Sequence, residues 1–182
     1  AEMAGTGKNG PSIFSTTSVA LRIKTVPAPG YYLQAVTLDG VPGDPNNPQG
    51  TFIKFDEGDG ALNVIEGGVP LGAAETAHNN KLAFGIWRYT TQFDDILDVD
   101  ANGNPVKRDS HGIYAMVEKV LKYKPGSQDD DIKSFFRIGK TEGDTTQFDL
   151  AWSAGLVFTG LLAGREKDEF GIAYAQECNS EK

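Results

Sequence analysis

The segment from Phe148 to Phe158, FDLAWSAGLVF, decides the fold of this chain. Its alternate residues are large and mostly apolar, and the residues between them are small or polar: Phe148, Leu150, Trp152, Ala154, Leu156 and Phe158 against Asp149, Ala151, Ser153, Gly155 and Val157. Side chains of a strand point alternately to the two faces of a sheet, so this period predicts a β-strand. The segment is about as long as a tilted strand that crosses a bilayer.

The same alternation returns after a short polar turn, with Phe170, Ile172 and Tyr174 separated by Gly171 and Ala173. An aromatic-rich face opposite a face of small residues favours a membrane β-barrel over a soluble sandwich. The mean hydropathy of -0.34 is compatible with a barrel. Barrel strands place half of their residues in a polar lumen, which lowers the average.

Composition narrows the function further. A chain of 182 residues with a net charge of -8 is acidic, which argues against nucleic acid as a partner. Cys178 is the single cysteine, so a disulfide within the chain and a cysteine-based metal site are excluded. The first residues, Ala1 to Gly10, are small and polar and are not typical of a signal peptide.

The alternation predicts about eight strands and no helix, and it places the strands at Ser15–Val26, Tyr31–Leu38, Gly60–Gly68, Lys81–Thr91, Gly112–Tyr123, Ile132–Thr141, Phe148–Phe158 and Glu169–Gln176. Long loops rich in Gly, Asn and Asp are predicted after the second and fourth strands, at Asp39–Asp59 and Gln92–Ser110. Outer-membrane barrels have short periplasmic turns and long extracellular loops. The links that follow even-numbered strands are therefore expected on the outside.

Two charges interrupt the apolar faces. Arg88 shares its predicted face with Phe84 and Ile86, and Lys119 shares its face with Ile113. A charge facing lipid at the bilayer midplane costs about 2–4 kcal/mol, and less near the interfaces. Three explanations remain at this point: a position near the membrane edge, a register shifted by one residue, or a β-bulge.

Several segments carry a resemblance to a known family: Asn9–Phe14, Leu38–Pro45, Phe93–Asp95, Asp100–Lys107, His111–Ala115, Phe136–Gly139, and Gly155–Gly160 with Gly164, Arg165 and Asp168. They extend from one end of the chain to the other and are specific as a set. The chain resembles the carbohydrate-selective porins of the OprB family.

The resemblance implies a β-barrel in the bacterial outer membrane, in contact with its lipid, that passes monosaccharides such as glucose by passive diffusion. A porin needs about sixteen strands to leave an aqueous pore. Residues 1–182 are therefore expected to form a single section of a larger barrel. A closing strand with a terminal aromatic residue is absent, since the chain ends Asn179-Ser180-Glu181-Lys182. A homo-oligomer is compatible with this interpretation.

Candidate pore-lining residues follow from the alternation. Arg22, Lys24, Glu118 and Arg137 point into the lumen if their apolar neighbours face lipid. Arginine offers a rigid fork of donors and glutamate offers paired acceptors, which suit sugar hydroxyls. The aromatic rings of Trp87 and Tyr114 are candidates for stacking on a sugar, whereas Trp152 and Phe158 are expected in an interfacial girdle on the lipid side. The alternative is that these charges have no role in sugar binding and balance one another across a water-filled lumen.

The segment Asp98–Asp109 contains D-x-D-x-N-G with an acid at the twelfth position, a pattern that resembles a calcium loop. The twelfth residue is Asp109 rather than the bidentate Glu, no helices flank it, and Asp/Asn/Gly clusters also form ordinary turns. We expect no resident metal, with calcium in this loop as the lesser alternative.

No nucleophile motif, H-E-x-x-H motif or phosphate loop is present, so an enzyme is not expected. Two other functions compete with the channel. A soluble β-sandwich that binds carbohydrate would have a similar strand count, and a sugar-active enzyme would use a carboxylate pair that sequence alone does not mark. Extraction without detergent would identify the first, and turnover of a sugar would identify the second.

Overall fold

The computed structural model describes residues 5–8, 10–11, 16–44, 56–72, 80–123 and 130–182. Within them the chain forms eight strands: β1 (Ala20–Thr25), β2 (Tyr32–Asp39), β3 (Ala61–Pro70), β4 (Lys81–Val99), β5 (Pro105–Tyr123), β6 (Asp130–Thr141), β7 (Phe148–Thr159) and β8 (Glu169–Asn179). They form one sheet in which each strand pairs with the next. Among the described residues, no helix has the length and apolar character needed to span a membrane. The prediction of an all-β fold with about eight antiparallel strands is confirmed.

The sheet is open. Among the described strands, β1 pairs with β2 alone and β8 pairs with β7 alone. An edge strand presents a row of unpaired N–H and C=O groups that can pair with a further strand. Both ends of this sheet are therefore available for extension.

The two faces of the sheet differ in chemistry. We call the face that carries Glu66 the inner face and the opposite face the outer face. In β3 and in β4 up to Asp95, most inner residues are buried and most outer residues are exposed, so burial alternates along the strand. The outer face carries exposed apolar side chains from seven strands, among them Leu21, Leu33, Ile65, Phe84, Ile113, Phe136 and Ile172. The period-2 pattern of the sequence thus becomes two chemically distinct surfaces.

The outer face of β6, β7 and β8 holds the aromatic side chains that the sequence placed there. Trp152 lies between Phe136 and Tyr174, with ring centroids 6.4 Å and 5.3 Å away. Phe158 contacts Phe170 at 6.4 Å between centroids. Ala151, Ser153 and Gly155 alternate to the inner face, as the sequence predicts.

The predicted loop at Gln92–Ser110 is wrong. β4 and β5 each run for 19 residues and form one long hairpin that closes in the tight turn Asp100–Asn104. The backbone N–H of Gly103 donates to the carbonyl of Asp100 at 3.0 Å, and Gly103 has a φ of 83°, which glycine adopts without strain. We call residues 92–109 the hairpin extension.

Charge pairs explain why this segment forms strands without apolar alternation. Asp94 lies opposite Lys107 in the register and bonds its ammonium at 2.7 Å, and Arg88 bonds Asp109 at the same distance. Opposite charges on neighbouring strands stabilise the pairing where apolar contacts are missing. The sequence contains this signal as acids before the turn and bases after it.

The first strand is shorter than predicted. β1 starts at Ala20, residues 16–19 lie outside it, and Ser15 is outside the described residues. Arg88 and Lys119 both lie on the outer face, so the predicted register is correct at these positions. Register shifts follow each of them, between Arg88 and Gln92 and between Val120 and Lys122. Both charges precede these shifts, so a β-bulge does not move either of them off the outer face, and a position near the membrane edge is the explanation that stays a prediction.

Glycines on the inner face make room for aromatic rings from the neighbouring strand. Each of these aromatic residues lies directly opposite a glycine in the register: Tyr32 with Gly68, Tyr114 with Gly85, Trp87 with Gly112, and Phe135 with Gly155. A Cβ built on these glycines would approach the ring atoms to between 2.0 and 2.6 Å, closer than any real contact. The rings therefore lie flat along the sheet instead of standing away from it.

A short N-terminal segment covers part of the inner face. Thr6 and Pro11 are buried, and the Oγ1 of Thr6 lies 3.2 Å from the hydroxyl of Tyr89. A Cβ on Gly7 would lie 2.7 Å from the same hydroxyl oxygen. The chain thus narrows the space over the inner face near Tyr89, on the side of the hairpin extension.

Candidate functional site

A carboxylate on β3 collects hydroxyl and amide donors from both sides. Glu66 is 8% exposed and accepts hydrogen bonds from the hydroxyl of Tyr32 at 2.7 Å, the side-chain amide of Gln34 at 2.8 Å and the hydroxyl of Tyr114 at 2.6 Å. The partners come from β2 and β5, so the network crosses four strands. A buried carboxylate needs such donors, because its desolvation would otherwise be costly.

Cations flank this network on the side of β1. Arg22 donates from Nε to the Oε1 of Gln34 at 3.1 Å, and its Nη2 donates to the same oxygen. The ammonium of Lys24 lies 4.7 Å from the centroid of the Tyr32 ring, within the range of a cation–π contact. Both side chains are exposed and lie on the inner face, as the sequence predicts.

A second charged group lies on β4, β5 and β6. Glu118 pairs with Lys81 at 3.2 Å and with Arg137 at 3.6 Å. The guanidinium of Arg137 also lies 5.6 Å from the centroid of the Phe135 ring. The side chain of Arg137 remains 59% exposed, so most of its donors face open space.

The six predicted pore-lining residues share the inner face, and the structure joins most of them into one surface. We call this surface the polar belt: Arg22, Lys24, Tyr32, Gln34, Glu66, Lys81, Tyr114, Glu118 and Arg137. It contains four cationic side chains and two carboxylates, whereas the whole chain has a net charge of -8. The belt can therefore offer spare donors to a neutral or anionic ligand.

Trp87 occupies a different position from the other predicted residues. Its side chain is 2% exposed and packs in an apolar cluster with Leu62, Val64 and Tyr89. A sugar would reach the indole only if the covering side chains moved. Tyr114, by contrast, lies half-buried against this cluster and takes part in the belt.

Sequence reasoning missed the residue at the centre. Glu66 was not singled out, nor were its partners Tyr32 and Gln34, or Lys81. The available signal is an ionisable residue at an inner position of a strand, beside two glycines, in the run Val64 to Gly68. Gly68 leaves room for the Tyr32 ring only because β2 pairs with β3 in this register. The sequence does not show that pairing.

The carboxylates of the calcium-like segment face different partners. Asp100 accepts from the backbone N–H groups of Asn102 and Asn104 at 2.8 and 2.9 Å and thus caps the turn. Asp109 pairs with Arg88, whereas Asp98 pairs with Arg108. Within the described residues, no group of three or more His, Cys, Asp or Glu side chains is arranged to hold a metal ion. The expectation of no resident metal, with calcium in this loop as the lesser alternative, stays a prediction.

An ion cluster fixes the hairpin extension to the link after β6 and to the end of β8. We call it the hairpin cluster: Asp95, Asp98, Arg108, Asp144 and Lys182. Lys182 contacts Asp95 at 2.7 Å and Asp98 at 2.8 Å. The backbone N–H groups of Asp98 and Leu97 also donate to Asp95, whose side chain is fully covered.

Hydrogen bonds shift the protonation of this cluster. The pKa of Asp95 is lowered, first by the backbone donor of Asp98 and then by Lys182. The pKa of Lys182 is raised, mainly by its hydrogen bonds to Asp95 and Asp98. Both shifts favour the charged forms at neutral pH, so the cluster is a structural ion network at this pH.

The chain is similar to known proteins in both sequence and fold. The family model described as carbohydrate-selective porin, OprB family, matches residues 2–181. Among solved structures, the high-pH structure of Pseudomonas putida OprB is similar, with a TM-score of 0.74 and 22% sequence identity. The match covers 89% of this chain and 40% of that chain, so the likeness shows the fold and the chain spans less than half of that protein. No curated protein matches.

Proposed function

The chain belongs to the OprB family of carbohydrate-selective porins, and we propose that it forms part of the wall of a bacterial outer-membrane channel through which monosaccharides such as glucose diffuse. The observation that carries this proposal is the polar belt on the inner face, opposite an exposed apolar outer face. A channel wall needs this combination, with polar groups towards water and apolar groups towards lipid. The family is one of porins rather than of enzymes, and we propose no catalytic step.

Lipid contact is supported by the outer face. Leu33, Phe84 and Ile172 are 52%, 53% and 62% exposed. In β2 and in the first part of β4, the residues of the outer face are exposed and those of the inner face are more covered. Soluble proteins seldom expose so continuous an apolar surface. The row of Phe136, Trp152 and Tyr174 fits an aromatic girdle at a membrane interface.

A larger barrel is supported by the open edges of the sheet. β1 and β8 run in opposite directions and each lacks a second neighbour among the described strands. Unpaired backbone groups are not tolerated in lipid, so further strands must pair with both edges. Since an aqueous pore needs about sixteen strands, we propose that this chain supplies roughly half of the barrel wall.

Orientation in the membrane is supported by the hairpin extension. Strands of 19 residues extend for roughly 60 Å at about 3.3 Å per residue, about twice the thickness of the hydrocarbon core. The excess lies on the side of the links that follow even-numbered strands. Long extensions of barrels are typically extracellular, so we place this side outside the cell.

Sugar selection is assigned to the belt. Arg137 and Arg22 present planar donors, Glu118 presents an acceptor pair, and Tyr114 presents an aromatic ring on the same surface. Hydroxyl groups of a monosaccharide can bond to guanidinium and carboxylate groups in pairs. Passage would require weak, repeated contacts rather than tight binding, because a ligand must also leave the pore.

The test is planar-bilayer conductance of the porin that contains this chain, with glucose titrated into the bath. We expect ion-conducting channels whose current falls with glucose and recovers when glucose is removed. A protein that is soluble without detergent, binds sugar and forms no channel would support the carbohydrate-binding alternative. Turnover of the sugar would support an enzyme and contradict the proposal.

A further inference from the structure

Glu66 is the most densely bonded side chain of the polar belt, and its position suggests a specific task. It lies on β3, with Gln34 directly opposite on β2 and Gly85 directly opposite on β4. Its Oε1 accepts from Tyr32 and Gln34, and its Oε2 accepts from Tyr114. Both oxygens are thus engaged by the wall itself, and the residue is 8% exposed. Such a carboxylate has little capacity left for a passing sugar.

The bonds to Glu66 determine where two rings lie. Tyr32 reaches inward from β2 over Gly68, and Tyr114 reaches inward from β5 over Gly85. A Cβ at Gly68 would come within 2.0 Å of the Tyr32 ring, and a Cβ at Gly85 within 2.2 Å of the Tyr114 ring. The glycines allow the rings to lie flat, and the shared carboxylate holds their hydroxyl ends together.

The same carboxylate determines the orientation of Gln34 and, through it, the position of Arg22. Because the Nε2 of Gln34 donates to Glu66, its Oε1 must face the other way, towards Arg22. Two guanidinium nitrogens of Arg22, Nε and Nη2, donate to that oxygen. A reversed amide would present donors to the guanidinium, so the arginine would lose its partner.

We propose that Glu66 is a positioning residue for sugar passage: it holds Tyr32 and Tyr114 flat against the wall and fixes Arg22, and these side chains, not Glu66, contact the sugar. This inference rests on the proposed function. It predicts that Glu66 acts through its donors, so its removal should have a smaller effect once the hydroxyls of the tyrosines are gone, because only the bond to Gln34 then remains to be lost.

The substitution Glu66→Gln tests the role with little change in volume. All three partners donate to Glu66. A glutamine amide removes the charge and replaces one acceptor by a donor, so one tyrosine hydroxyl must accept instead of donate or the Gln34 amide must reverse, and the bonds that hold the rings and Arg22 weaken. We expect the glucose concentration for half-block to rise about ten-fold, because the loss of one hydrogen bond to a charged group changes a binding constant by about this factor. We also expect the sugar-free conductance to fall, because a released ring projects into the lumen.

A double-mutant cycle separates positioning from direct contact. Glu66→Gln is introduced into the wild-type porin and into the variant Tyr32→Phe/Tyr114→Phe, which keeps both rings but lacks their hydroxyls. We expect the double variant to show the fall in sugar-free conductance and a raised glucose concentration for half-block. Adding Glu66→Gln to it should leave the sugar-free conductance unchanged and should raise the half-block concentration by a smaller factor than in the wild-type background, because only the bonds through Gln34 and Arg22 remain to be lost.

Two results would overturn the positioning role of Glu66, and a third would contradict the proposed function. An equal loss on adding Glu66→Gln in both backgrounds would overturn the inference and make Glu66 a direct sugar ligand. Unchanged block and unchanged conductance in Glu66→Gln, with the folded barrel confirmed by circular dichroism, would also overturn it. A wild-type channel that glucose does not block would contradict the proposed function itself, whereas the conductance cycle without sugar would still report whether Glu66 positions the rings.

Discussion

The polar belt and the hairpin cluster are both charge networks across neighbouring strands, but they use their charges differently. In the hairpin cluster, Asp95 is fully covered and Lys182 reaches three carboxylates, so the donors and acceptors are used within the protein. In the belt, Arg137 is 59% exposed and its contact with Glu118 is long, at 3.6 Å. The belt thus retains donors that face open space.

The difference also appears in the charge balance. The hairpin cluster combines three acids with two bases, whereas the belt combines four bases with two acids. A network whose partners satisfy one another fixes the shape of the chain, and a network with exposed, unbalanced donors can interact with a ligand. We therefore expect substitutions in the belt to change passage and substitutions in the cluster to change the stability of the hairpin.

The largest contrast is expected between two arginines. Arg137→Ala should raise the glucose concentration for half-block about five-fold, because an exposed charged donor is lost, and should shift ion selectivity towards cations. Arg108→Ala should leave both quantities unchanged, since Arg108 bonds to Asp95 and Asp98 in the hairpin cluster. Planar-bilayer recordings of both variants give the comparison. Equal effects of the two would remove Arg137 from the site.

A smaller effect is expected from two glycines of the inner face. Gly85→Ala places a Cβ 2.2 Å from the Tyr114 ring, so the ring must leave the wall, and the sugar-free conductance should fall. Overpacking of this kind typically costs about 1–3 kcal/mol of stability. Gly171→Ala is the matched control, because its Cβ meets nothing closer than 3.7 Å. A conductance that falls equally in both variants would show that the ring does not control the lumen.

The hairpin extension should respond to Asp95→Ala without any change in glucose block. Removal of this carboxylate leaves two backbone N–H groups without their acceptor and deprives Arg108 of its covered partner. We expect a protease to cleave the variant faster than the wild-type protein at the turn Asp100–Asn104. Mass spectrometry of the fragments over time measures this cleavage. Asp109→Ala is the control, since the exposed pair of Asp109 with Arg88 should contribute little.

The smallest effect concerns pH. The pKa of Asp95 is lowered, so its stabilisation is complete above the ordinary aspartate value and is lost as the pH falls through the lowered pKa. The pKa of Lys182 is raised, so its stabilisation is complete below the ordinary lysine value and is lost as the pH rises through the raised pKa. Proteolysis of the hairpin should therefore be slow between about pH 4 and about pH 10. Faster cleavage at pH 7 than at pH 3, with a protease active at both, would contradict the ion network.

The strand pattern was predictable because side-chain direction in a strand is a local property. Alternation in Phe148–Phe158 placed Trp152 on the outer face, and the same rule placed Arg22 and Arg137 on the inner face. The hairpin extension escaped prediction because its strands are held by cross-strand ion pairs, which leave no period of apolar residues. Its signal, acids before the turn and bases after it, is present in the sequence, but it indicates strands only once the two segments are known to pair.

The sequence by itself determined most of the strands and their two faces, because period and composition act over neighbouring residues, and its quoted segments indicated the family by resemblance. The tertiary structure alone decided which strands form the edges of the sheet and which glycine lies opposite each aromatic ring. It also decided that Trp87 is buried and that Glu66 accepts hydrogen bonds from residues of β2 and β5. These features depend on the register between strands, and Glu66 and Tyr114 are 48 residues apart in the chain. Contacts at such a separation are set by the pairing of strands, which a local pattern does not contain.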